Sequence, residues 1–323
     1  MITWLNDVVL VQIDCENGEG IDLAKTYNIQ GYPTFVMADP SARTVYRWMG
    51  YTKEAFLHKV GAGLSDLTPI EEKEKRFAGR PDLPTALVLA EYAESTGKLR
   101  QAVDYYQEAA RLDPDNDYAY ALFQLYRWGN RKQTFTEEQV KESAGAALAS
   151  PYTDDGSRFW VLYAMAGYAA QDPDNQQLRE DVSKAEKLIN DKPDVAPERY
   201  KKDISIYYTL LIDKNKEKAV ELKKSNMAEG WMDNAGDLNE FSWWCFENHV
   251  DLEEAEKLAR RGIKLAEPGH EKAMILDTCA EIVNALGNHA DAMELTKLAI
   301  KEDPDSKYYQ AQLKRFADAS QVQ

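Results

Sequence analysis

Apolar and polar positions recur along this chain with two different periods, and the change falls near Leu64. Val8-Val9-Leu10-Val11-Gln12-Ile13-Asp14 is a β-branched apolar run of strand length, closed by the turn-forming Glu16-Asn17-Gly18-Glu19-Gly20. Ile21 to Tyr27 predicts a short helix, with Leu23, Ala24 and Tyr27 at helical spacing. Tyr32 to Met37 is a second apolar run, and Asp39-Pro40-Ser41-Ala42 is a turn between it and Thr44 to Trp48. That spacing predicts a two-stranded hairpin. Gly50 breaks its second strand, and Thr52 to Leu64 predicts a helix with Phe56, Leu57, Val60 and Leu64 on one side.

Beyond Leu64 the strand period vanishes. Thr68 to Arg76 reads as a charged connecting helix, and Gly79-Arg80-Pro81-Asp82-Leu83-Pro84 is the clearest boundary signal. From there a repeat emerges. Gly97, Ala102, Tyr106, Ala109 and Pro114 stand at spacings of 5, 4, 3 and 5, and Gly287, Ala292, Thr296, Ala299 and Pro304 repeat them. Small residues at such positions let two antiparallel helices approach closely, and a proline after the second prevents its continuation. A third copy is centred on Leu252, Ala255, Ala259 and Gly262, with its first helix in Leu238 to His249. Between the copies, helices are predicted near Tyr118–Trp128, Glu137–Ala149, Ser157–Ala170, Gln176–Asn190, Pro197–Asp213 and Lys216–Met227.

Composition narrows the function classes. The 323 residues suit about two domains, and 44 % hydrophobic residues supply ample core. No apolar run approaches the ~18 residues a membrane span needs. A net charge of −16 leaves no basic stripe for nucleic acid; the lysines of Lys214 to Lys224 are interleaved with Glu217 and Glu221, as on a solvated helix face.

The order β-α-β-β-α over residues 8–65, with Gly31-Tyr32-Pro33-Thr34-Phe35 opening the second strand, resembles the C-terminal half of the thioredoxin fold. The resemblance implies a cis Pro33 and a polypeptide-binding lip. Tyr32 would offer free backbone groups, Pro33 would form the lip, and Thr34 would begin the strand beneath it. The chain departs from the family where its chemistry lies: no Cys-x-x-Cys occurs, and nothing precedes Val8 that corresponds to the family's N-terminal strand, helix and central strand. Three explanations are open: a start upstream of Met1, two strands closed directly on each other, or another chain in the gap. The adopted expectation is an upstream start, because Met1 to Asn6 reads as the end of a helix.

The helical part resembles the tetratricopeptide repeat of about 34 residues. The expected fold is therefore mostly α, a partial thioredoxin-like α/β module at 1–66, a charged linker helix at 67–82, and a tetratricopeptide-like solenoid at 83–320. The resemblance implies a groove lined by the first helix of each pair. Its positions would be Leu87, Glu91 and Glu94, then Glu240, Trp244 and Glu247, then Asp277, Glu281 and Asn284. An acidic groove with aromatic residues suits basic or neutral polypeptide segments, and it lacks the lysine and asparagine pattern of a carboxylate clamp.

Other chemistry is sparse. Cys15, at the end of the first predicted strand, is the one candidate redox thiol, with nothing cationic beside it in sequence. Cys245 and Cys279 are 34 residues apart and read as core thiols. His58, His249, His270 and His289 have no metal-ligand spacing, and no phosphate loop occurs, so no metal or cofactor is expected. Two readings follow. The first is an interaction protein that gathers polypeptides; the second, implied by bacterial thioredoxin-family proteins with such repeats, is a thiol-disulfide oxidoreductase in cell redox homeostasis whose cysteine pair lies upstream. The Leu238-Asn239…Trp243 and Leu276-Asp277-Thr278 openings match that family's pattern. Compartment and oligomeric state are left open, with the cell envelope implied for a longer, exported parent.

Overall fold

A computed structural model describes residues 8–320 and divides into two compact units, one ending at Val161 and the other beginning at Leu162. The fold is mostly helical, with one two-stranded sheet among the described residues.

The first unit opens with helix α1 (Glu19–Thr26), followed by strands β1 (Thr34–Ala38) and β2 (Thr44–Met49). These strands pair antiparallel with Phe35 opposite Trp48, Val36 opposite Arg47 and Met37 opposite Tyr46. Asp39 closes the hairpin, its Oδ1 accepting from the backbone N–H of both Ser41 and Arg43 at 2.9 Å. Helix α2 (Lys53–Ser65) is capped by Thr52, whose hydroxyl accepts from Ala55 N. One face of the hairpin, Tyr46 and Trp48 with Phe35 and Met37, packs with Phe56 and Val60 of α2.

The strand predicted at Val8–Asp14 does not form. Residues 8–14 lie outside any ladder, and only Val8 packs against the core, while Val9, Leu10, Val11 and Ile13 are 91, 77, 68 and 47 % exposed. A strand exists only through a neighbour's hydrogen bonds, and β-branched composition cannot supply the neighbour. Asp14 instead makes a local turn, accepting from Glu16 N and Asn17 Nδ2. The edge of β1 away from β2 likewise has no backbone partner among the described residues.

Helices α3 (Ile70–Gly79), α4 (Leu83–Ser95), α5 (Leu99–Leu112), α6 (Ala119–Arg131) and α7 (Glu137–Ala149) complete the first unit, and α8 (Asp155–Gln171) continues into the second. Asp82 caps α4, and Thr136 with Gln139 forms a full capping box on α7, which is why that helix starts where its sequence predicts. The second unit continues with α9 (Gln176–Asp191), α10 (Glu198–Leu211), α11 (Lys216–Asn226), α12 (Ala235–Glu247), α13 (Leu252–Leu265), α14 (His270–Ala285), α15 (His289–Glu302) and α16 (Lys307–Ser320). Neighbours in sequence pack as hairpins: α4 with α5, α6 with α7, α10 with α11, α12 with α13, and α14 with α15.

The repeat read from spacing is visible in the backbone. Gly97 and Gly287 both turn with positive φ, 78° and 86°, immediately before α5 and α15, a conformation that costs glycine nothing. Ala102 and Ala109 of α5 and Ala292, Thr296 and Ala299 of α15 are fully buried, as are Ala255 and Ala259 of α13. Where the third copy has Val250 in place of glycine, His249 and Asp251 adopt left-handed φ instead.

Candidate functional site

The lip predicted at Tyr32, Pro33 and Thr34 stands at the start of β1, and the Tyr32–Pro33 bond is cis. Pro33 has no N–H, so β1 begins one residue later, and Pro33 O accepts from Gly50 N at 2.9 Å. That bond sets the phase of the ladder. Pro33, Phe35 and Met37 face their partners through hydrogen bonds, so the N–H and C=O of Thr34 and Val36 point away from β2. Tyr32 is 62 % exposed, and Tyr51 is 60 % exposed. Behind them Phe35 stacks on Trp48 with centroids 5.2 Å apart and meets Phe56 at 5.1 Å. Cys15 is half-buried in the turn before α1.

The nine groove positions meet three different fates. In α4, Leu87 is half-buried and packs against the core, and Glu91 is occupied by the hairpin side of the unit: Tyr46 OH donates to its Oε2 at 2.9 Å and Lys59 Nζ lies 2.7 Å from the same atom. Glu94 is half-buried, and its carboxyl is pushed up to about 7, first by burial and then by the charge of Glu91, against the pull of Lys59. Folding therefore takes up a proton at Glu94 between its ordinary range and pH 7. The contribution is favourable below that window and is lost as pH rises through it. Glu94→Gln is expected to stabilise the protein by roughly 2 kcal/mol at pH 8 and to leave it unchanged at pH 4, flattening the pH slope of urea unfolding.

In α14, Asp277 and Glu281 are covered by α16. Gln312 Nε2 donates to Asp277 Oδ1 and, at 2.8 Å, to Glu281 Oε1, which also receives Arg315. Burial pushes the Asp277 carboxyl up to about 6. Asn284 Oδ1 is taken by His289 Nδ1 at 2.7 Å.

The remaining set, Glu240, Trp244 and Glu247, is divided: Glu240 and the buried Trp244 border a cleft, and Glu247 lies outside it. Glu240 and Trp244 of α12 line a cleft of about 190 Å³ that also involves Tyr163, Arg199, Asp203, Tyr207, Lys223 and Asn226. Lys223 Nζ donates to Glu240 Oε1 at 2.8 Å, and Arg199 Nη2 stands 4.0 Å from the same oxygen. Tyr163 OH donates to Asp203 Oδ2 at 3.0 Å, while Asn226 Nδ2 donates to Asp203 Oδ1 at 2.8 Å. Burial, then the charges of Asp203 and Glu247, pushes the Tyr207 hydroxyl up to about 12. The carboxyl of Glu247 is itself raised by burial.

Lys223 corrects the reading of residues 214–224 as a uniformly solvated face: it is 9 % exposed and reaches across to Glu240. A lysine bends its charge far from its Cα, so helical period misplaces its head. The residues that sequence reasoning missed on α10 did carry a signal. Arg199, Asp203 and Tyr207 recur every four residues, a polar stripe on one face.

Cys245 and Cys279 are buried and unpaired, and burial pushes both thiols up to about 12, far from a reactive thiolate. Among the described residues no helix is long and apolar enough to cross a membrane, and no group of His, Cys, Asp and Glu could hold a metal ion. No protein-family model and no curated protein matches this chain.

Proposed function

We propose that this protein is a polypeptide-binding interaction protein: a redox-inactive thioredoxin-like module joined to a tetratricopeptide-like helical scaffold. The observation that carries the reading is the α10–α12 cleft, where Glu240 and Trp244, two of the groove positions implied by the resemblance to the tetratricopeptide repeat, line one concavity with further charged and aromatic side chains. The exposed Tyr32 and the outward backbone groups of Thr34 and Val36 offer a second surface, suited to an extended chain lying along β1. No Cys-x-x-Cys occurs in the sequence, so the oxidoreductase reading lacks its redox couple within these residues.

Fluorescence anisotropy with labelled, unstructured peptides of varied charge tests the reading. Saturable binding at about 10 µM or tighter is expected for basic and neutral peptides, weakening with salt as exposed charges are screened. Absence of saturable binding for every peptide would remove it. In a disulfide-reductase assay the protein is expected to stay at background. Turnover abolished by Cys15→Ser would make it an enzyme instead.

A further inference from the structure

The two carboxylates of the α10–α12 cleft are held in different ways. Glu240 is matched by cations: Lys223 at 2.8 Å, with Arg199 standing 4.0 Å from the same oxygen. Asp203 is held by neutral donors only, the Tyr163 hydroxyl on one oxygen and the Asn226 amide on the other. Neutral donors orient a carboxylate and lower its rotational freedom, but they leave its charge in place. Each carboxylate oxygen can accept about two hydrogen bonds, so one acceptor site on each remains. The walls beside it are aromatic, Tyr163, Tyr207 and Trp244, and ring faces favour a cation over an anion or a neutral amide. The volume, about 190 Å³, is below the ~300–1,000 Å³ of ordinary small-molecule sites and suits one long side chain.

We propose that this cleft is a recognition pocket for a single lysine or arginine side chain of a bound polypeptide, with Asp203 receiving the charge. The inference rests on the polypeptide-binding reading and adds to it the residue that selects the ligand. Arg199 lies one turn before Asp203 on α10 and is 69 % exposed at its side chain. Its like charge opposes the entering cation, so the two α10 residues act with opposite sign.

The test uses the full chain and four labelled peptides of one neutral, flexible sequence that differ at a central residue: lysine, arginine, norleucine or glutamate. The lysine and arginine peptides are expected to bind about tenfold more tightly than the norleucine peptide, with glutamate weakest. Asp203→Asn keeps the side-chain shape while removing the charge. It is expected to erase that tenfold preference without changing norleucine binding, whereas Arg199→Ala tightens the basic peptides a few fold. Glu253→Gln, an equal change of charge on an exposed residue of α13, is expected to have no effect, which separates the pocket from the overall field of the −16 chain. Equal affinity for lysine and norleucine, a preference for glutamate, or a preference insensitive to Asp203→Asn would each overturn the proposal. Binding of none of the four would instead remove the polypeptide reading beneath it. Where Asp203→Asn fails to fold, Arg199→Ala carries the test: it must tighten the lysine and arginine peptides and leave the norleucine peptide unchanged, and an unchanged lysine affinity would overturn the proposal.

Discussion

Arg47→Met is expected to cost the protein about 3 kcal/mol of unfolding free energy in urea, the largest effect of any single change considered. Arg47 is 2 % exposed, yet it sits in β2 with no carboxylate beside it. Its two terminal nitrogens donate to carbonyls, Tyr27 O and Asn28 O at the end of α1, the latter at 2.9 Å, and Ser95 O at the end of α4, at 2.7 Å, while its buried Nε has no partner among the described residues. Tyr27 O at the C-cap of α1 and Ser95 O at the last residue of α4 are orphan carbonyls of the kind every helix end must satisfy, and a cation there also meets the negative pole of the helix. Burial lowers the Arg47 pKa, so the fold bears a desolvation cost to keep this charge inside. Hydrogen bonds from a charged donor contribute about 1.5–3 kcal/mol each, and their loss is only partly offset by no longer burying the charge. Methionine fills the space and satisfies no carbonyl. Arg47→Lys is expected to fall between the two, because an ammonium is a point donor and lacks the planar fork that spans two helix ends. Hydrogen exchange provides the local check: protection of α1 should collapse in Arg47→Met while α14 and α15 keep theirs. Unfolding within 0.5 kcal/mol of the parent would mean that water replaces the guanidinium at these carbonyls.

Arg315→Ala is the second large effect, expected at about 2 kcal/mol at neutral pH. The Glu281 side chain is 5 % exposed and receives Arg315 together with Gln312 from α16. Removing the arginine leaves a buried carboxylate with an amide for company, and an unpaired buried charge is costly. The cost stays below that of a fully enclosed pair because Arg315 is itself 58 % exposed and screened by water. Adding Glu281→Gln should restore most of the loss, since a neutral amide needs no counter-ion, and the double-mutant cycle isolates the pair. Limited proteolysis reports the same event structurally: cleavage between α15 and α16, near Asp303 to Ser306, should accelerate in Arg315→Ala and return to the parent rate in the double variant.

Much of the helical part was legible in the sequence because helices are local. The predicted span Glu137–Ala149 coincides with α7, and the matched spacings of Gly97 to Ala109 and Gly287 to Ala299 reappear as equivalent turns and equivalent buried positions. A capping box, a turn glycine and an apolar stripe each act within about one or two turns of the chain that carries them. The hairpin of β1 and β2 was legible for the same reason, its strands being joined by a short turn. Val8–Asp14 was misread because strand formation depends on a partner that its own residues do not encode.

The candidate site divides along the same line. The resemblance to the tetratricopeptide repeat points to the helix face on which Glu91, Glu240 and Glu281 stand, but not to what lies opposite that face. Glu91 meets Tyr46, 45 residues away, and Glu281 meets Arg315, 34 residues away, while Glu240 meets Lys223 from the helix before it and still opens onto a cleft. Asp203 entered no sequence argument, because a single aspartate on an acidic chain carries no information until its neighbours are known.

By itself, then, the sequence determined the helices, their hairpin turns, the β1–β2 ladder and the small buried residues that let paired helices close, all of them consequences of backbone geometry over a few residues. Only the tertiary structure decided which carboxylates are covered, which are open, and which charge lacks a cation. Those are properties of side chains brought together from distant positions, where burial and pairing, not period, set the energy.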